Sequence, residues 1–571
     1  MECRSRQCAN AGPYRCTVPR AVRSRCLFCC SSEAIRFLAG QLLIMERRIS
    51  LRKLISTAVI ACLVLALSTI GGGEAVANDE DRIPDFSYCG YRGAGVSIPD
   101  VGAAVTLSPR EDGDDTGRIQ KAIDRVSDME RNKEGFRGAV LLKAGTYRVA
   151  GSLRMRASGV VLRGMGQRDD GTVIIATGNK QRALIRISGG KPGERIKSSR
   201  RAIADEYVPV GARKLRLESA EGLEVGDPVV VFRPATEKWI ETLGTEHLGW
   251  EPGTYDMAYE RHITAIGGKE ITIDAPIVCA IDARFGGGSV YKTTPDGRIS
   301  KVGVEKLRLV SEYKNGQKRK DESHAWEGVR IGNLRDGWVR NVTAVHFGYS
   351  CVSLKNGATQ ITVQDCAFLY PVSRITGGRR YSFNMDGQLC LVQRCYSSGG
   401  RHDFVMHSRA RGPNVFLDCV ADRTYDDSGP HHRWATGTLY DNVCCEQLFM
   451  RWRDDYGSGH GWPGANTVFW NCRAHHIICQ KPPTAHSWCI GCTGHIRGNG
   501  QIKSRCEPVV PRSLYLKQLE DRLGAQAVKN VTTKNQRRGH IRPAELPTWP
   551  EGGVPHEYHT MDLILRRKLA R

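Results

Sequence analysis

The sequence predicts an all-β solenoid built from stacked β-coils. Three observations lead to this fold class: a short β-rich segment recurs along the second half of the chain, turns rich in Gly, Pro and Asp separate its copies, and the copies show no helical period. At 571 residues the chain is too long for one ordinary compact core, and a stack of repeats avoids that limit. The copies occupy residues 338–347, 361–370, 390–399, 414–423, 439–448, 467–476 and 488–496.

Each copy contains a polar residue or Gly followed by a small apolar residue, and the apolar position recurs every 20 to 29 residues. The seven pairs are Asn341-Val342, Asp365-Cys366, Arg394-Cys395, Asp418-Cys419, Asn442-Val443, Asn471-Cys472 and Gly491-Cys492. Stacked coils place equivalent side chains in ladders, so we expect the Val and Cys positions to form one internal column. We favour this interpretation over a metal column or a disulfide framework, because Cys and Val share one repeat position.

Some cysteines lie outside this column. They include Cys444, Cys445, Cys479 and Cys489. These are the candidates for disulfides, which an exported protein could form.

The start of the chain predicts export. From Met45 a basic stretch is followed by an apolar run over 54–70 and by an A-V-A motif that ends at Ala77, the order of a secretory signal peptide. Residues 45–77 are therefore predicted to be the signal peptide, and residues 1–44 an extension upstream of the real start. A single membrane anchor is the alternative, although the 17-residue run contains Ser and Thr and is short for a span. The predicted product is secreted, periplasmic or at the cell surface, with no stable membrane insertion after cleavage.

Residues 78–201 predict an N-terminal cap and the first coils. An acidic turn leads into an amphipathic helix over 111–126, whose apolar face consists of Ile119, Ala122, Ile123 and Val126. The stretch 138–166 then alternates short strands with Gly-containing turns.

The order of these motifs, DGDDT, a helix, VLLKAGTY, SL and GVVLRGMG, closely resembles the N-terminal cap and first coils of the pectate-lyase-like superfamily. The resemblance implies a right-handed parallel β-helix of about ten coils between residues 85 and 500. It implies the fold more strongly than the chemistry, because the superfamily includes lyases, hydrolases, epimerases and phage tailspikes.

Three further regions complete the predicted organisation. Residues 202–282 contain alternating strands with Gly-Asp and Gly-Gly turns, and we expect them to form an inserted small β-module. Residues 283–505 should form the main coils and carry the functional site. Residues 506–571 should form a C-terminal helix, over 513–528, followed by a basic tail.

Histidines and arginines recur at fixed distances before the internal column. Twelve residues before a column position lie His407, His431 and His460, and ten residues before the same positions lie Arg409, Arg433 and Trp462. We predict that these residues occupy one strand in three successive coils, where side chains two residues apart share a face. A packing ladder without a function is the alternative.

This pattern favours β-elimination on a uronic acid, which needs a group that neutralises the carboxylate, a base and a proton donor. Arg409 and Arg433 are the candidates for neutralisation, since guanidinium groups pair with carboxylates through two hydrogen bonds. The predicted base is His431 or His407, with His431 the most important as the middle rung, and the predicted acid is His460 or Tyr440. The predicted substrate-binding residues are His402, His432, Trp434, Tyr440 and Trp462.

No cofactor is expected for this reaction, but two metal alternatives stay open. Relatives in the superfamily hold calcium with clustered carboxylates, for which the candidates here are Asp418, Asp422, Asp426, Asp427, Asp454 and Asp455. Their spacing does not predict a ligand set. Two or three imidazoles on adjacent strands could instead bind a transition metal such as zinc.

The partner is predicted to be an acidic polysaccharide. The whole chain has a net charge of +23, and residues 78–571 alone carry +16 (72 Lys and Arg, 56 Asp and Glu). For an exported protein this charge favours an anionic glycan over a nucleic acid. A polygalacturonase-like glycoside hydrolase and a non-catalytic carbohydrate-binding protein or adhesin are the alternative functions, and a monomer is expected.

Overall fold

The computed structural model describes residues 80–314 and 316–539. The predicted upstream extension 1–44, the predicted signal peptide 45–77 and most of the basic tail lie outside these residues and stay predictions. Within the described residues, no helix is both long and apolar enough to cross a membrane.

The described chain is mainly β-strand. The strands before the module are β1 (Ala103–Leu107), β2 (Gly138–Leu142), β3 (Gly145–Val149), β4 (Leu153–Met155), β5 (Val160–Arg163), β6 (Thr172–Ala176) and β7 (Ala183–Ile187). Those of the module are β8 (Arg201–Ala202), β9 (Tyr207–Val208), β10 (Lys214–Arg216), β11 (Pro228–Arg233), β12 (Met257–Gly267), β13 (Glu270–Ile273), β14 (Ile281–Asp282) and β15 (Ser289–Lys292).

The main coils contain 22 further strands. They are β16 (Ile299–Ser300), β17 (Gly303–Ser311), β18 (Glu327–Ile331), β19 (Leu334–Val345), β20 (Ser350–Leu354), β21 (Ala358–Gln364), β22 (Ala367–Leu369), β23 (Tyr381–Met385), β24 (Leu391–Gln393), β25 (Tyr396–Ser398), β26 (His402–Met406), β27 (Arg411–Leu417), β28 (Val420–Asp422), β29 (Gly429–Pro430), β30 (Ala435–Asp441), β31 (Cys444–Met450), β32 (Gly464–Ala465), β33 (Thr467–Trp470), β34 (Arg473–Cys479), β35 (Ser487–Ile490), β36 (Thr493–Arg497) and β37 (Gln501–Lys503). The α-helices are α1 (Thr116–Ser127), α2 (Glu237–Leu243), α3 (Tyr456–Gly459), α4 (Leu514–Val531) and α5 (Lys534–Arg537).

These strands form a parallel β-helix, as the sequence predicts. A sheet of 22 strands and a second sheet of seven strands both consist of parallel pairs between successive coils. The second sheet has the order β29-β26-β23-β20-β18-β7-β4, so seven coils each contribute one strand to it.

The recurring polar position makes a bend in each coil, between two strands for six of its members and within β19 for Asn341. All seven of these residues, from Asn341 to Gly491, have φ between 49° and 70°, the left-handed region that Asn, Asp and Gly tolerate best. An eighth bend at Lys306, with φ 56°, extends the pattern one coil upstream.

The Val and Cys positions form the predicted internal column. Ala367, which follows Cys366, pairs with Tyr396, and Tyr396 pairs with Val420, so the cysteines before them are in register. Every member of the column has at most 1% of its surface exposed. The thiols therefore act as small apolar groups in the core.

The suggestion of disulfides outside the column is wrong for the described chain. All fourteen cysteines after residue 77 carry free thiols there, including Cys444, Cys445, Cys479 and Cys489. Most are buried in the apolar interior, where packing rather than cross-linking accounts for them.

The inserted module is a six-stranded antiparallel sheet with the order β10-β13-β12-β11-β15-β8. Its core contains Trp239, Trp250 and Tyr255 together with Trp434 from the coils. The module therefore packs directly against the coil that carries His431.

Two helices cover the solenoid. In α1 the predicted apolar residues, Ile119, Ala122, Ile123 and Val126, are at most 6% exposed and belong to the main core. Helix α4 begins after Ser513, whose Oγ accepts a hydrogen bond from the Leu516 N–H at 3.1 Å. It packs Tyr515 and Leu519 against an outer face of the coils that includes Leu439.

Candidate functional site

Chemically active residues form a column where the strands of the seven-stranded sheet end. Leu354, Met385, Met406 and Pro430 are successive partners in this sheet. The next residues in the chain are Lys355, Asp386, His407 and His431, and their backbone N–H groups continue the ladder. A lysine, a carboxyl group and two imidazoles thus follow one another in four adjacent coils.

Five histidines meet at the end of this column. The ring centroids lie 3.9 Å apart for His402 and His431, 4.6 Å for His431 and His432, 4.7 Å for His432 and His460, and 4.7 Å for His407 and His432. The sequence-predicted histidines therefore come together in space.

The prediction that these histidines occupy one strand in three successive coils is wrong. His407 with Arg409, and His431 with Arg433, lie in the turns that follow β26 and β29, not within a strand. Ser428 forms a parallel β-bridge with Leu448. Three residues further along each chain segment, Arg451 therefore lies level with His431, and His460 does not.

His460 reaches the cluster from a longer turn. It follows the short helix α3, and Arg433 donates a hydrogen bond through Nε to the Gly459 carbonyl at 3.0 Å. Gly457 has φ 71°, and a Cβ atom there would collide with the His460 ring. A glycine at this position therefore allows the turn to bring the imidazole inward.

The site is more buried than the sequence predicts. His402, His431 and His460 are 0%, 4% and 6% exposed, whereas His407 and His432 are half-buried. His431 was expected to be the central catalytic group, but its imidazole lies beneath the surface. Of the predicted catalytic histidines, His407 is the one that reaches solvent best.

Electrostatics keep most of these imidazoles neutral. Burial, assisted by Lys355, lowers the pKa of His407 to about 4. Burial, assisted by Arg453 and then Arg433, lowers the pKa of His460 to about 4. Burial and the neighbouring histidines also lower the pKa values of His431 and His432. Neutral imidazoles can accept protons or bind cations near neutral pH.

Tyr349 and Asn384 adjoin His407. The Tyr349 hydroxyl lies 3.4 Å from His407 Nε2, and Asn384 Nδ2 donates a hydrogen bond to the same hydroxyl at 2.9 Å. Burial raises the pKa of Tyr349 well above its ordinary value, so the phenol stays protonated. The network orients the His407 ring.

Lys355 and Asp386 are functional candidates that the sequence analysis missed. Lys355 Nζ lies 3.4 Å from Glu327 Oε1, and burial lowers the pKa of the lysine. Burial raises the pKa of Asp386 to about 6, although Arg411 and Lys355 oppose the shift. Counting from the internal column did not find them, because their turns have different lengths from those of His407 and His431.

The two predicted arginines flank the cluster. Arg409 is exposed and donates a hydrogen bond through Nη1 to the Thr254 carbonyl of the module at 2.7 Å. Arg433 is half-buried and is bonded to the turn before His460. Arg409 therefore has the greater freedom to pair with a ligand.

Three of the residues predicted to bind substrate, His402, Trp434 and Tyr440, are fully buried, so the prediction is wrong for them. Trp434 is fully buried and packs edge-on against Trp239, with ring centroids 4.7 Å apart. Tyr440 is fully buried between Phe416 and Phe469 inside the coils, so it can neither touch a glycan nor donate a proton to one.

Trp462, which was also predicted to bind substrate, is only partly buried. Its Nε1 donates a hydrogen bond to the Leu243 carbonyl of the module at 3.3 Å. It lies at the border between the coils and the module and packs against both cores.

The aspartates considered for calcium do not assemble into one site within the described chain. Three of them are paired with cationic or basic groups elsewhere: Asp418 with Arg512 at 2.8 Å, Asp427 with Arg453 at 3.1 Å, and Asp454 with His247 at 3.2 Å. The groups that could hold a metal ion consist mainly of histidines.

Comparisons with known proteins find only distant structural similarity. No protein-family model matches the chain, and no curated protein matches it. Among solved structures, a tailspike protein from Pseudomonas phage LKA1 is 12% identical, with a TM-score of 0.35 over 68% of this chain and 74% of the tailspike. A polygalacturonase from Erwinia carotovora is 12% identical, with a TM-score of 0.36 over 72% of this chain and 94% of that enzyme.

The A-module of a mannuronan C-5 epimerase from Azotobacter vinelandii is also 12% identical, with a TM-score of 0.23 over 72% of this chain and 87% of the module. The chain has a parallel β-helix fold. Its own strand topology establishes this, and identities this low transfer no activity.

Proposed function

We propose that this parallel β-helix cleaves an acidic polysaccharide by β-elimination at the site around His407. The observation that carries the proposal is the juxtaposition of a half-exposed imidazole, a carboxyl group one coil away and cationic groups on both sides. These are His407, Asp386, Lys355 and Arg409. The net charge of residues 78–571, +16, supports an anionic substrate.

In the proposed reaction, Arg409 and Lys355 bind the uronate carboxylate and stabilise the charge that develops on it. His407 removes the proton from the carbon next to the carboxylate. The electron pair of that C–H bond forms a C=C bond, and the adjacent bond to the glycosidic oxygen breaks. Asp386 supplies the proton to the leaving oxygen. Its raised pKa keeps this carboxyl group protonated in a fraction of the molecules.

Hydrolysis is a second candidate reaction, favoured by the same raised pKa of Asp386. A carboxyl group in this state is the usual general acid of a glycoside hydrolase. Hydrolysis with inversion at the anomeric carbon would require a second carboxylate, about 6.5–9.5 Å from Asp386, to activate water.

A panel of pectic, alginate and sulfated uronic glycans tests the proposal. We expect the purified chain to release products with unsaturated, ultraviolet-absorbing ends, and H407Q to lose most of this activity while it keeps its far-ultraviolet circular dichroism. Reducing ends without the absorbance would replace elimination by hydrolysis. Binding without cleavage across the panel would contradict an enzymatic role.

A further inference from the structure

Beneath His407 lies a group of imidazoles that the proposed reaction does not use. One nitrogen from each of His431, His432 and His460 lies within 4.8 Å of the other two. The Nδ1 atoms of all three are buried and have no hydrogen-bond partner among the described residues. The Nε2 atom of His402 is in the same state.

Packing alone does not account for this arrangement. A buried polar atom without a partner destabilises a fold, and native proteins contain few of them. Four neighbouring imidazoles, each with a buried nitrogen that has no hydrogen-bond partner among the described residues, suit a bound cation.

The surroundings of His402 fix the orientation of its ring. Nδ1 of His402 lies 2.7 Å from the Asp427 carbonyl oxygen. A carbonyl oxygen only accepts, so Nδ1 donates this hydrogen bond. Nε2 lies 3.6 Å from Asp426 Oδ2. The Asp427 carboxylate is held in turn by Arg453 at 3.1 Å. Histidine ligands of metals are commonly oriented by such carbonyl and carboxylate partners.

We propose that His431, His432 and His460 bind one divalent transition-metal ion. His402, oriented by Asp427, faces the same region, and His402, Asp427 and His431 form a second group whose ligand atoms lie within 4.8 Å of one another. Imidazole nitrogens suit zinc, copper, nickel and iron, whereas calcium and magnesium prefer oxygen. Three imidazoles leave a coordination position for water or a ligand oxygen.

The site stands on its own geometry and does not depend on the proposed elimination reaction. The turn around Gly457 admits the His460 ring, and Arg433 holds that turn through the Gly459 carbonyl. Metal binding and glycan cleavage can therefore succeed or fail separately.

Zinc binding to the full chain tests the inference. After dialysis against a chelator, we expect the protein to take up one equivalent of zinc, measured by calorimetry and by elemental analysis after gel filtration. H432Q and H460Q should each weaken zinc binding by more than about tenfold, the loss expected when a group of the site is removed. H475Q, a change at an exposed histidine on β34, should bind as the wild type does.

Two results would overturn the inference. One is a wild-type chain that retains no zinc, and the other is equal zinc affinity in H432Q, H460Q and H475Q. Because a buried substitution can impair folding, the wild type is also titrated with Co²⁺. A visible absorption band typical of a four-coordinate nitrogen site is expected, and its absence would contradict the proposed ligands even if both variants failed to fold.

Discussion

Burial separates the histidines of the candidate site into two groups with different chemistry. His407 is half-buried and adjoins the exposed Arg409, whereas His431 is 4% exposed and lies among other imidazoles. Both occupy equivalent positions after a strand of the same sheet. Their own turns are equally long, so the surroundings of each imidazole decide which of them a glycan can reach.

Arg409 provides the residue-scale test of substrate binding. We expect R409Q to lower kcat/KM for the cleaved glycan by about 100-fold or more, which corresponds to roughly 3 kcal/mol of lost transition-state stabilisation. Its melting temperature should change little, because the side chain is exposed and makes a single hydrogen bond to the module. Steady-state kinetics and thermal unfolding measure the two effects.

R423Q is the matched control, since the Arg423 side chain is 59% exposed and its ion pair with Asp422, at 4.0 Å, is long. It should keep wild-type kinetics. An R409Q enzyme with unchanged kcat/KM would place substrate recognition elsewhere.

The repeated bend is the feature that organises each coil. Asn341 and its counterparts adopt positive φ at this bend, and the residue that follows points into the core. Lys306 makes the same bend before Leu307, which pairs with Val342. The sequence pattern missed this coil, because lysine has no preference for the left-handed conformation, unlike Asn, Asp and Gly.

Substitution of Asn341 tests the bend at the scale of one coil. N341V should lower the free energy of unfolding by about 1–2 kcal/mol, because a β-branched residue is strained at φ 53°. N341G should be nearly neutral, since glycine adopts this conformation freely. Urea unfolding measures both variants, and equal midpoints for N341V and N341G would contradict the explanation.

At the scale of the whole molecule, the C-terminal helix α4 is tied to the solenoid through Asp441. Oδ2 of this fully buried residue accepts hydrogen bonds from Ser513 Oγ at 2.6 Å and from the Tyr515 N–H at 2.9 Å. Burial raises the pKa of Asp441 from its ordinary value of 3.8 to about 7. The anchor is therefore sensitive to pH.

The direction of the effect follows from linkage. Because the folded-state pKa lies above the unfolded value, the native protein holds this proton more tightly, and the stabilisation is present below about pH 4 and lost as pH rises through about 7. We expect the urea midpoint of the wild type, measured relative to that of D441N, to fall between pH 5 and pH 8. D170N, at an exposed aspartate, should show no such change. A pH-independent difference for D441N would contradict the shifted pKa.

The sequence by itself determined the coil, the internal column and the helical cap, because strand periodicity, bend residues and apolar faces are local properties. It also predicted that His407, His431 and His460 lie in one region. Equal spacing explains this for His407 and His431 only, because Arg451 lies level with His431 and His460 comes from a longer turn. The tertiary structure alone decided that Trp434 and Tyr440 are buried, because the module and the coil interior cover them. It alone placed Lys355 and Asp386 beside His407, because turns of unequal length hide equivalent positions that only backbone pairing between coils reveals.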